Sequence, residues 1–586
     1  MKSFFKNVLS TMVGIILATI TSIILIIAII SIIISSSESQ KNINLKENSI
    51  LRINLTKNKV VERNINNPLK NINPSTSVIN TIEIKQLLDN IKKAKTDDKI
   101  RAIYINTSFV NAGLSQIEEI RNALLEFKKS EKKIIAYSEI YSQSAYYLAS
   151  VANKIYLNPQ GGIELKGLAA TLMFYKGLFE KLDIDMQIIK YGKFKSAVEP
   201  FSLDKMSADN RKQMELLLNS YADNIMDSIG SQRNLSLSKV QEDANKLNLN
   251  TAEDCLELSY IDGLLYEDQI KDSLKLITGE DKLKLIEIDD YTNINNKKKK
   301  ISRNKIAVIY ATGNINMGEG DEESIGSETT AKAIENARKD KNVKAIVLRI
   351  NSGGGSALAS EVIWRETLLA KKEKPLVVSM GDYAASGGYY IACAADSIVA
   401  NPLTLTGSIG VFGMIPNLQK FYKNKLGITL DTVNTNKYAD MGTNRPLYNF
   451  ERNKIQDNIN DTYDTFITRV SDGRKMTKTA IDEIGQGRVW TGYDAKNIGL
   501  IDVYGGINKS IDIAAELSNT KEFRIIKLPK EKDPFEELSK NLLKNTKAST
   551  MIKKLIGVNS LLINPVEDLL TEDPIQTRIP FIISLE

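Results

Sequence analysis

The chain contains no histidine among its 586 residues, and this absence excludes several kinds of site. A Ser-His-Asp triad cannot form, because the imidazole that serves as its base is missing. The only cysteines, Cys255 and Cys393, lie far apart in apolar helical segments, which indicates buried thiols and neither a disulfide framework nor a zinc site. We therefore expect no metal site and no cofactor.

Clusters of arginine with aromatic residues are also missing, although the net charge is +7. The charge is spread through a sequence rich in lysine, asparagine and isoleucine, so it indicates a compositional bias, and we expect no nucleic-acid partner. The apolar fraction of 42% and the charged fraction of 25% are typical of a globular protein. The length predicts two or more domains.

One apolar run is atypical of a soluble protein. No charged residue lies between Lys6 and Glu38, and the segment Met12–Ile34 is long enough, at about 1.5 Å per residue, to cross a bilayer as a helix. The segment after it offers no clear small-residue cleavage site, which favours an uncleaved anchor over a cleaved signal peptide. Lys2 and Lys6 predict a cytoplasmic amino terminus, with the rest of the chain on the other side of the membrane.

Strand patterns alternate with helix patterns in two parts of the chain. Strands are predicted at Ile50–Leu55, Ile100–Asn106, Lys133–Tyr137, Lys305–Ala311, Val343–Ile350 and Pro375–Met380. Helices are predicted at Thr81–Ala94, Ile117–Phe127, Ser144–Val151, Thr330–Arg338 and Ser360–Ala370. This alternation predicts βα units, a largely parallel sheet and the α/β class.

The two parts are copies of one another. Tyr146-Tyr-Leu-Ala-Ser aligns with Tyr389-Tyr-Ile-Ala-Cys, and Ile261-Asp aligns further on with Ile501-Asp, which indicates an internal duplication. We predict an amino-terminal stub, anchor and spacer over 1–45, a first repeat over 46–292 and a second repeat over 305–521. A basic linker over 293–304 separates the repeats, and the tail over 522–586 has no predicted role.

The stretch from Val377 to Cys393 predicts a nucleophile. It reads as an apolar strand, a glycine-rich break and a helix whose first turn carries Ser386. Backbone N–H groups exposed at such a junction suit a nucleophile and its oxyanion. Because the chain has no histidine, lysine is the leading candidate for the base.

Comparing the copies locates that lysine. Ser386 aligns with Gln143, whereas Lys195 aligns with Ala439, so each copy has lost the residue that the other retains. These complementary losses predict one composite site shared between the repeats. A lysine serves as a base only when neutral, so we expect Lys195 to be buried, which lowers its pKa. Lys193 is the nearest rival.

Three consecutive glycines predict the oxyanion hole. Gly353, Gly354 and Gly355 follow the strand that ends at Ile350, and their N–H groups can line such a hole together with that of Gly387. The corresponding region of the first copy, residues 106–113, lacks the glycine cluster.

Four motifs together resemble the signal peptide peptidase A (protease IV) family in its long two-repeat form, whose members are bacterial membrane-anchored serine proteases with a Ser/Lys dyad. The motifs are Gly381-Asp-Tyr-Ala-Ala-Ser-Gly-Gly-Tyr-Tyr, Gly192-Lys-Phe-Lys-Ser-Ala-Val-Glu-Pro, Gly407-Ser-Ile-Gly-Val and Gly487-Arg-Val-Trp-Thr-Gly. One departure is Gly353, where the family usually has proline.

The resemblance implies a nucleophile at Ser386, a base at Lys195 and oxyanion donors at Gly354 or Gly355 and Gly387. It also implies tandem ClpP/crotonase-like domains after an amino-terminal transmembrane helix, and a homotetramer in the bacterial inner membrane with its catalytic domains on the periplasmic side. The implied substrates are signal peptides that remain in the membrane after preprotein processing.

Two other functions remain open. Crotonase-like lyases share a glycine-amide oxyanion hole but need a coenzyme A pocket and do not require Ser386 paired with Lys195. A catalytically inactive, membrane-anchored scaffold is the second alternative, because the first copy has lost its serine.

Overall fold

The computed structural model describes residues 45–64, 80–294, 302–321, 324–530 and 575–579, together with parts of the first 22 residues. Within these residues, no helix is both long enough and apolar enough to cross a membrane. The predicted anchor over 12–34 lies from residue 23 onward outside the described residues, as does most of the predicted linker.

Twenty-two strands are described. They are β1 Ser49–Ile53, β2 Asn58–Val61, β3 Asn80–Glu83, β4 Ile100–Ile105, β5 Lys133–Tyr141, β6 Lys154–Ile163, β7 Asp185–Tyr191, β8 Gly263–Leu264, β9 Leu285–Glu287, β10 Lys305–Thr312, β11 Asn314–Asn316, β12 Ser324–Gly326, β13 Val343–Ser352, β14 Gly354–Ser356, β15 Leu376–Ala385, β16 Ser397–Ala400, β17 Leu405–Gly407, β18 Val411–Asn417, β19 Val489–Thr491, β20 Val503–Tyr504, β21 Arg524–Leu528 and β22 Ile575–Arg578.

The α-helices from residue 84 onward follow the same alternation. They are α1 Ile84–Thr96, α2 Leu114–Lys128, α3 Gln143–Ala149, α4 Lys176–Lys181, α5 Glu199–Ser202, α6 Ala208–Arg233, α7 Leu237–Lys246, α8 Ala252–Glu257, α9 Glu267–Thr278, α10 Ser327–Lys339, α11 Ala357–Glu373, α12 Gly387–Ala392, α13 Gln419–Leu426, α14 Asn449–Arg474, α15 Lys478–Ile484, α16 Gly492–Asn497 and α17 Ile507–Leu517.

Two sheets of matching order form the centres of the repeats. The first has the order β8-β6-β5-β4-β1-β9, and its strands are all parallel. The second has the order β19-β17-β15-β13-β10-β21, and β16 also pairs with β15 and carries β20 on its other side. Its pairs are parallel except for β17 with β19. The predicted α/β class is confirmed, and β21 adds part of the tail to the second sheet.

A third sheet joins the two repeats in the order β12-β11-β14-β22-β18-β7. Strand β7 belongs to the first repeat, yet all seven of its residues pair antiparallel with β18 of the second repeat. Strand β22, from the tail, lies between β14 and β18. The largest buried apolar cluster likewise contains side chains of both repeats, among them Ile103 and Val377.

Several predicted boundaries shift for local reasons. The helix predicted from Thr81 begins at Ile84, because the preceding residues form β3 and pair with β2. The strand predicted to end at Met380 continues to Ala385, since its far end pairs with β17. Ser386 is therefore the residue before α12 and not part of the helix's first turn.

Candidate active site

Ser386 is held at the junction between β15 and α12 in a rare backbone conformation. Its φ of 55° and ψ of −114° lie outside the regions that side-chain-bearing residues usually occupy. Two backbone hydrogen bonds fix it there: its N–H donates to the carbonyl of Gly407 at 2.8 Å, and its carbonyl accepts from Tyr390 N–H at 2.9 Å. The junction holds the fully buried Ser386 at the start of a helix.

Lys195 reaches the second repeat because β7 pairs with β18. After β7 the chain turns at Gly192, whose φ of 97° favours glycine, and Phe194 N–H donates to the carbonyl of Gln486 at 3.0 Å. The Gln213 side-chain amide of α6 donates to the carbonyl of Phe194 at 3.1 Å. These bonds fix the N–H and the carbonyl of the residue that precedes the lysine.

The two predicted side chains are in contact. The Nζ of Lys195 lies 2.7 Å from Oγ of Ser386, 3.0 Å from Oγ of Ser408 and 3.2 Å from the carbonyl of Ser408. A neutral amine has two N–H donors and one lone pair. This arrangement suits that form, because the Ser386 hydroxyl can donate to the lone pair while the amine donates to both oxygens of Ser408.

The surroundings of the lysine favour the neutral amine. Lys195 is fully buried, and burial alone holds the pKa of its ammonium well below the ordinary value of 10.5. Glycines line its stem: a Cβ built on Gly487 would lie 2.6 Å from the Lys195 backbone, and one on Gly410 would lie 3.2 Å from its Cδ. This packing lies against the backbone and stem of Lys195, and the whole residue is inaccessible to solvent.

The rival lysine lies elsewhere. Lys193 is exposed, and its Nζ lies 5.2 Å from the centroid of the Phe194 ring, outside the cluster formed by Lys195, Ser386 and Ser408. The geometry therefore favours Lys195 over Lys193 as the partner of Ser386.

The predicted oxyanion glycines lie together. A Cβ built on Gly354, whose φ is 104°, would lie 2.8 Å from the amide nitrogen of Gly387, so the two backbones approach closely. The N–H of Gly354 already donates to Oγ of Ser352 at 3.1 Å. Of the two glycines named as alternatives, Gly355 is therefore the better candidate to donate beside Gly387.

Sequence reasoning assigned no role to Ser408, although it lies in the Gly407-Ser-Ile-Gly-Val motif. Ser408 is fully buried with a φ of 51°, and its N–H donates to the carbonyl of Arg488 at 2.7 Å. That motif was the feature of the sequence that could have identified Ser408.

In the first repeat, Gln143 occupies the position that corresponds to Ser386, and its role is structural. Its side-chain oxygen accepts hydrogen bonds from the N–H groups of Lys166 and Gly167.

Among the described residues, no group of three or more acidic, cysteine or histidine side chains could hold a metal ion. Cys255 and Cys393 are buried free thiols, as the sequence predicted.

A family model matches part of each repeat, and two known proteins match most of the chain. The family model described as Peptidase family S49 matches residues 126–279 and 369–521, one stretch in each repeat. Protease 4 of Haemophilus influenzae is 37% identical over 446 residues, covering 74% of this chain and 72% of that protein. The chloroplastic serine protease SPPA of Arabidopsis thaliana is 34% identical over 508 residues, covering 85% of this chain and 74% of that protein.

Solved structures match more remotely. A point mutant of ClpP1 from Listeria monocytogenes aligns with 35% of this chain and 94% of its own, at 14% identity and a TM-score of 0.24. A serine-to-alanine mutant of the 1510-N membrane-bound stomatin-specific protease aligns with 39% of this chain and all of its own, at 16% identity and a TM-score of 0.26.

Proposed function

Because this chain belongs to peptidase family S49 and is a serine peptidase, we propose that Ser386 is its nucleophile and Lys195 its general base. The observation that carries the proposal is the 2.7 Å contact between Nζ of a fully buried lysine and Oγ of Ser386. The chain has no histidine to serve as the base instead.

The reaction then follows the usual course of acyl transfer. Neutral Lys195 takes the hydroxyl proton of Ser386 as Oγ attacks the peptide carbonyl, and it returns that proton to the leaving amine. A water molecule activated by the same amine hydrolyses the acyl-enzyme and restores the Ser386 hydroxyl. The N–H groups of Gly387 and Gly355 stabilise the negative charge on the carbonyl oxygen in both steps.

We further propose that the substrates are signal peptides left in the membrane after preprotein processing. The resemblance of four motifs to the signal peptide peptidase A family supports this substrate class. The apolar run Met12–Ile34 supports an inner-membrane anchor, with the repeats on the periplasmic side. Extended peptide binds by strand addition beside β14.

A homotetramer of ClpP/crotonase-like repeats is the assembly we propose. Residues 427–441 contain neither helix nor strand, yet they expose Ile428, Leu430 and Val433, the last with 98% of its surface accessible. Apolar side chains grouped in this way favour contact with another subunit.

The test uses the full chain, purified in detergent, on casein and on a synthetic signal peptide. Ser386→Ala and Lys195→Ala should each lower kcat at least about 10³-fold, because each removes one half of the dyad. Lys193→Ala is the matched control and should retain the wild-type rate. Circular dichroism and gel filtration confirm that each variant remains folded and assembled.

The pH dependence of kcat/KM gives a second readout. Activity should rise with pH as Lys195 loses its proton, with an apparent pKa well below 10.5. Full activity in Lys195→Ala would show that another group is the base. A wild type that cleaves neither substrate would instead favour the scaffold.

A further inference from the structure

A strand from the chain's own tail lies where a substrate strand would bind. β22 pairs antiparallel with β14, the strand that carries Gly354 and Gly355, and on its other side with β18. The opposite edges of these two strands are already occupied, by β11 and β7 respectively. A peptide can therefore add to β14 or β18 only if β22 leaves.

Thr577 is the tail residue seated deepest in this cleft. Its side chain is fully buried, and its Oγ1 donates to the carbonyl of Gly355 at 3.0 Å. A Cβ built on Gly387 would lie 2.9 Å from that hydroxyl oxygen. The space beside the residue that follows the serine thus holds one small side chain.

The backbone of Thr577 faces the oxyanion glycines. A Cβ built on Gly354 would lie 1.9 Å from the Thr577 carbonyl oxygen and 2.8 Å from the amide nitrogen of Gly387. Since Ile579 N–H donates to the carbonyl of Gly353 at 2.9 Å, the antiparallel alternation makes Gly355 and Thr577 the next hydrogen-bonded pair. The Thr577 carbonyl thus lies beside the N–H groups that would bind a substrate carbonyl.

The glycine at position 353 is part of this fit. A Cβ added there would lie 2.7 Å from Cγ1 of Ile579, so any larger residue would press on the tail. Ile579 is buried against the main apolar cluster, and Ile575 packs against the second one. Residues 575, 577 and 579 alternate along β22, so one face of the strand presents two apolar side chains and one small one.

We propose that residues 575–579 are a built-in competitor for the peptide-binding cleft, bound as a substrate-like strand that must leave before a peptide can enter. The proposal deepens and rests on the proposed peptidase function, because it takes the β14–β18 groove as the substrate site. The groove then selects extended peptides with a small residue at the position of Thr577 and apolar residues two positions to either side. Because the tail is tethered, its effective concentration is on the order of millimolar, enough to suppress weak ligands.

The test compares full-length proteins that differ at one tail residue. Thr577→Lys places a long charged side chain where a small buried one fits, so it should displace β22. Thr577→Ser keeps the size and the hydroxyl, and Leu276→Lys adds the same charge at a remote residue that is 85% exposed. Intact mass measurements confirm that every protein retains its tail.

The first readout does not depend on proteolysis. A fluorescent peptide with the sequence of residues 573–581 is titrated into proteins that also carry Ser386→Ala. The Thr577→Lys protein should bind this peptide at least about tenfold more tightly than the protein with an unchanged tail, the Thr577→Ser protein or the Leu276→Lys protein, because its cleft is open. Equal affinity in all four would overturn the proposal.

The second readout is cleavage by the proteins that retain Ser386. Thr577→Lys should lower KM by about the same factor with kcat unchanged, and the unlabelled peptide should restore inhibition competitively. An unchanged KM would overturn the proposal even if cleavage is rapid. Tighter peptide binding by Thr577→Lys without cleavage by any protein would support the competitor but refute the peptidase.

Discussion

The environment of one amine determines what the site can do. Lys195 carries no carboxylate partner among the groups that shift its pKa, and burial is the sole cause of the lowering. A buried ion pair would have kept it protonated, and a protonated lysine cannot accept the proton of Ser386. On the proposed mechanism, a lysine whose pKa is lowered by burial takes the place of the missing imidazole.

Ser408 contacts that amine, so its loss should impair catalysis without removing either of the proposed reacting groups. Ser408→Ala deletes the hydroxyl 3.0 Å from Nζ of Lys195 and should lower kcat about 10- to 100-fold with little change in KM. Ser408→Gly, which suits the φ of 51° but also lacks the hydroxyl, should be impaired to a similar extent. A Ser408→Ala enzyme with the wild-type kcat would show that the amine needs no such support.

Burying the lysine should also lower the stability of the protein. The folded-state pKa is lowered, so the unfolded chain binds more protons and the free energy of unfolding rises with pH up to about 10.4. Lys195→Met removes this term and should raise the free energy of unfolding by about 1–3 kcal/mol near pH 7, with a smaller gain near pH 10.

Urea unfolding at the two pH values measures that gain. Lys193→Met, at the exposed neighbouring position, is the control and should change the free energy of unfolding little at either pH. A gain for Lys195→Met that stays constant between the two pH values would contradict a lowered pKa.

At the scale of elements, one carboxylate connects β15, the strand before Ser386, to the first repeat. Oδ1 of Asp382 accepts from the N–H groups of Ser115 and Gln116 at 3.0 and 3.3 Å, at the amino terminus of α2. Burial, reinforced by the nearby charge of Glu62, raises the pKa of Asp382 to about 7. A side chain of the second repeat thus caps a helix of the first.

This raised pKa makes the contact sensitive to pH. The folded protein binds the Asp382 proton more tightly than the unfolded chain does. The contribution of this carboxyl to the free energy of unfolding is therefore greatest below about pH 4 and declines as pH rises through about 7. Asp382→Asn keeps the accepting oxygen but cannot ionise. From pH 5 to 8 the wild type should lose about 1–3 kcal/mol more stability than Asp382→Asn, as measured by urea unfolding.

Glu118 also has a pKa raised to about 7 by burial, but it is present in both proteins, so the comparison cancels its contribution. Parallel pH profiles for the wild type and Asp382→Asn would show that the Asp382 carboxyl is not protonated in the folded state.

The sequence predicts some of these elements and site residues but not others. Strand and helix periodicity predicts the alternation of both sheets, because those elements bury one face along their length. The complementary losses pair Lys195 with Ser386, whose catalytic roles stay predictions. Ser408 and β22 were missed, since Ser408 contacts Lys195 only after β7 joins β18, and β22 gains its partners only from the folded cleft. The Gly407-Ser-Ile-Gly-Val motif marks the position of Ser408 but not its partner, and no local pattern encodes the pairing of β22.

At the scale of the whole molecule, a buried ionic cluster links the two repeats. Arg349 of β13 is fully buried, and its guanidinium donates to Glu62 at 2.7 and 3.0 Å and to Glu119 at 2.7 Å. Both carboxylates come from the first repeat, and Glu119 also accepts from Ile507 N–H at 2.9 Å. Because the proposed dyad takes its base from one repeat and its nucleophile from the other, we expect this cluster to bear on activity as well as stability.

Removing the arginine should therefore uncouple the repeats. Arg349→Met leaves two carboxylates buried without a cation and should cost about 3–5 kcal/mol of stability, lowering the thermal midpoint and kcat together. Adding Glu62→Gln and Glu119→Gln removes the unpaired charges and should recover at least half of that loss. Lys332→Met, which breaks an exposed ion pair with Glu335 inside α10, should cost less than about 1 kcal/mol. If the triple variant were no more stable than Arg349→Met, lost packing and not uncompensated charge would be the cause, and the cluster would not be the electrostatic link between the repeats.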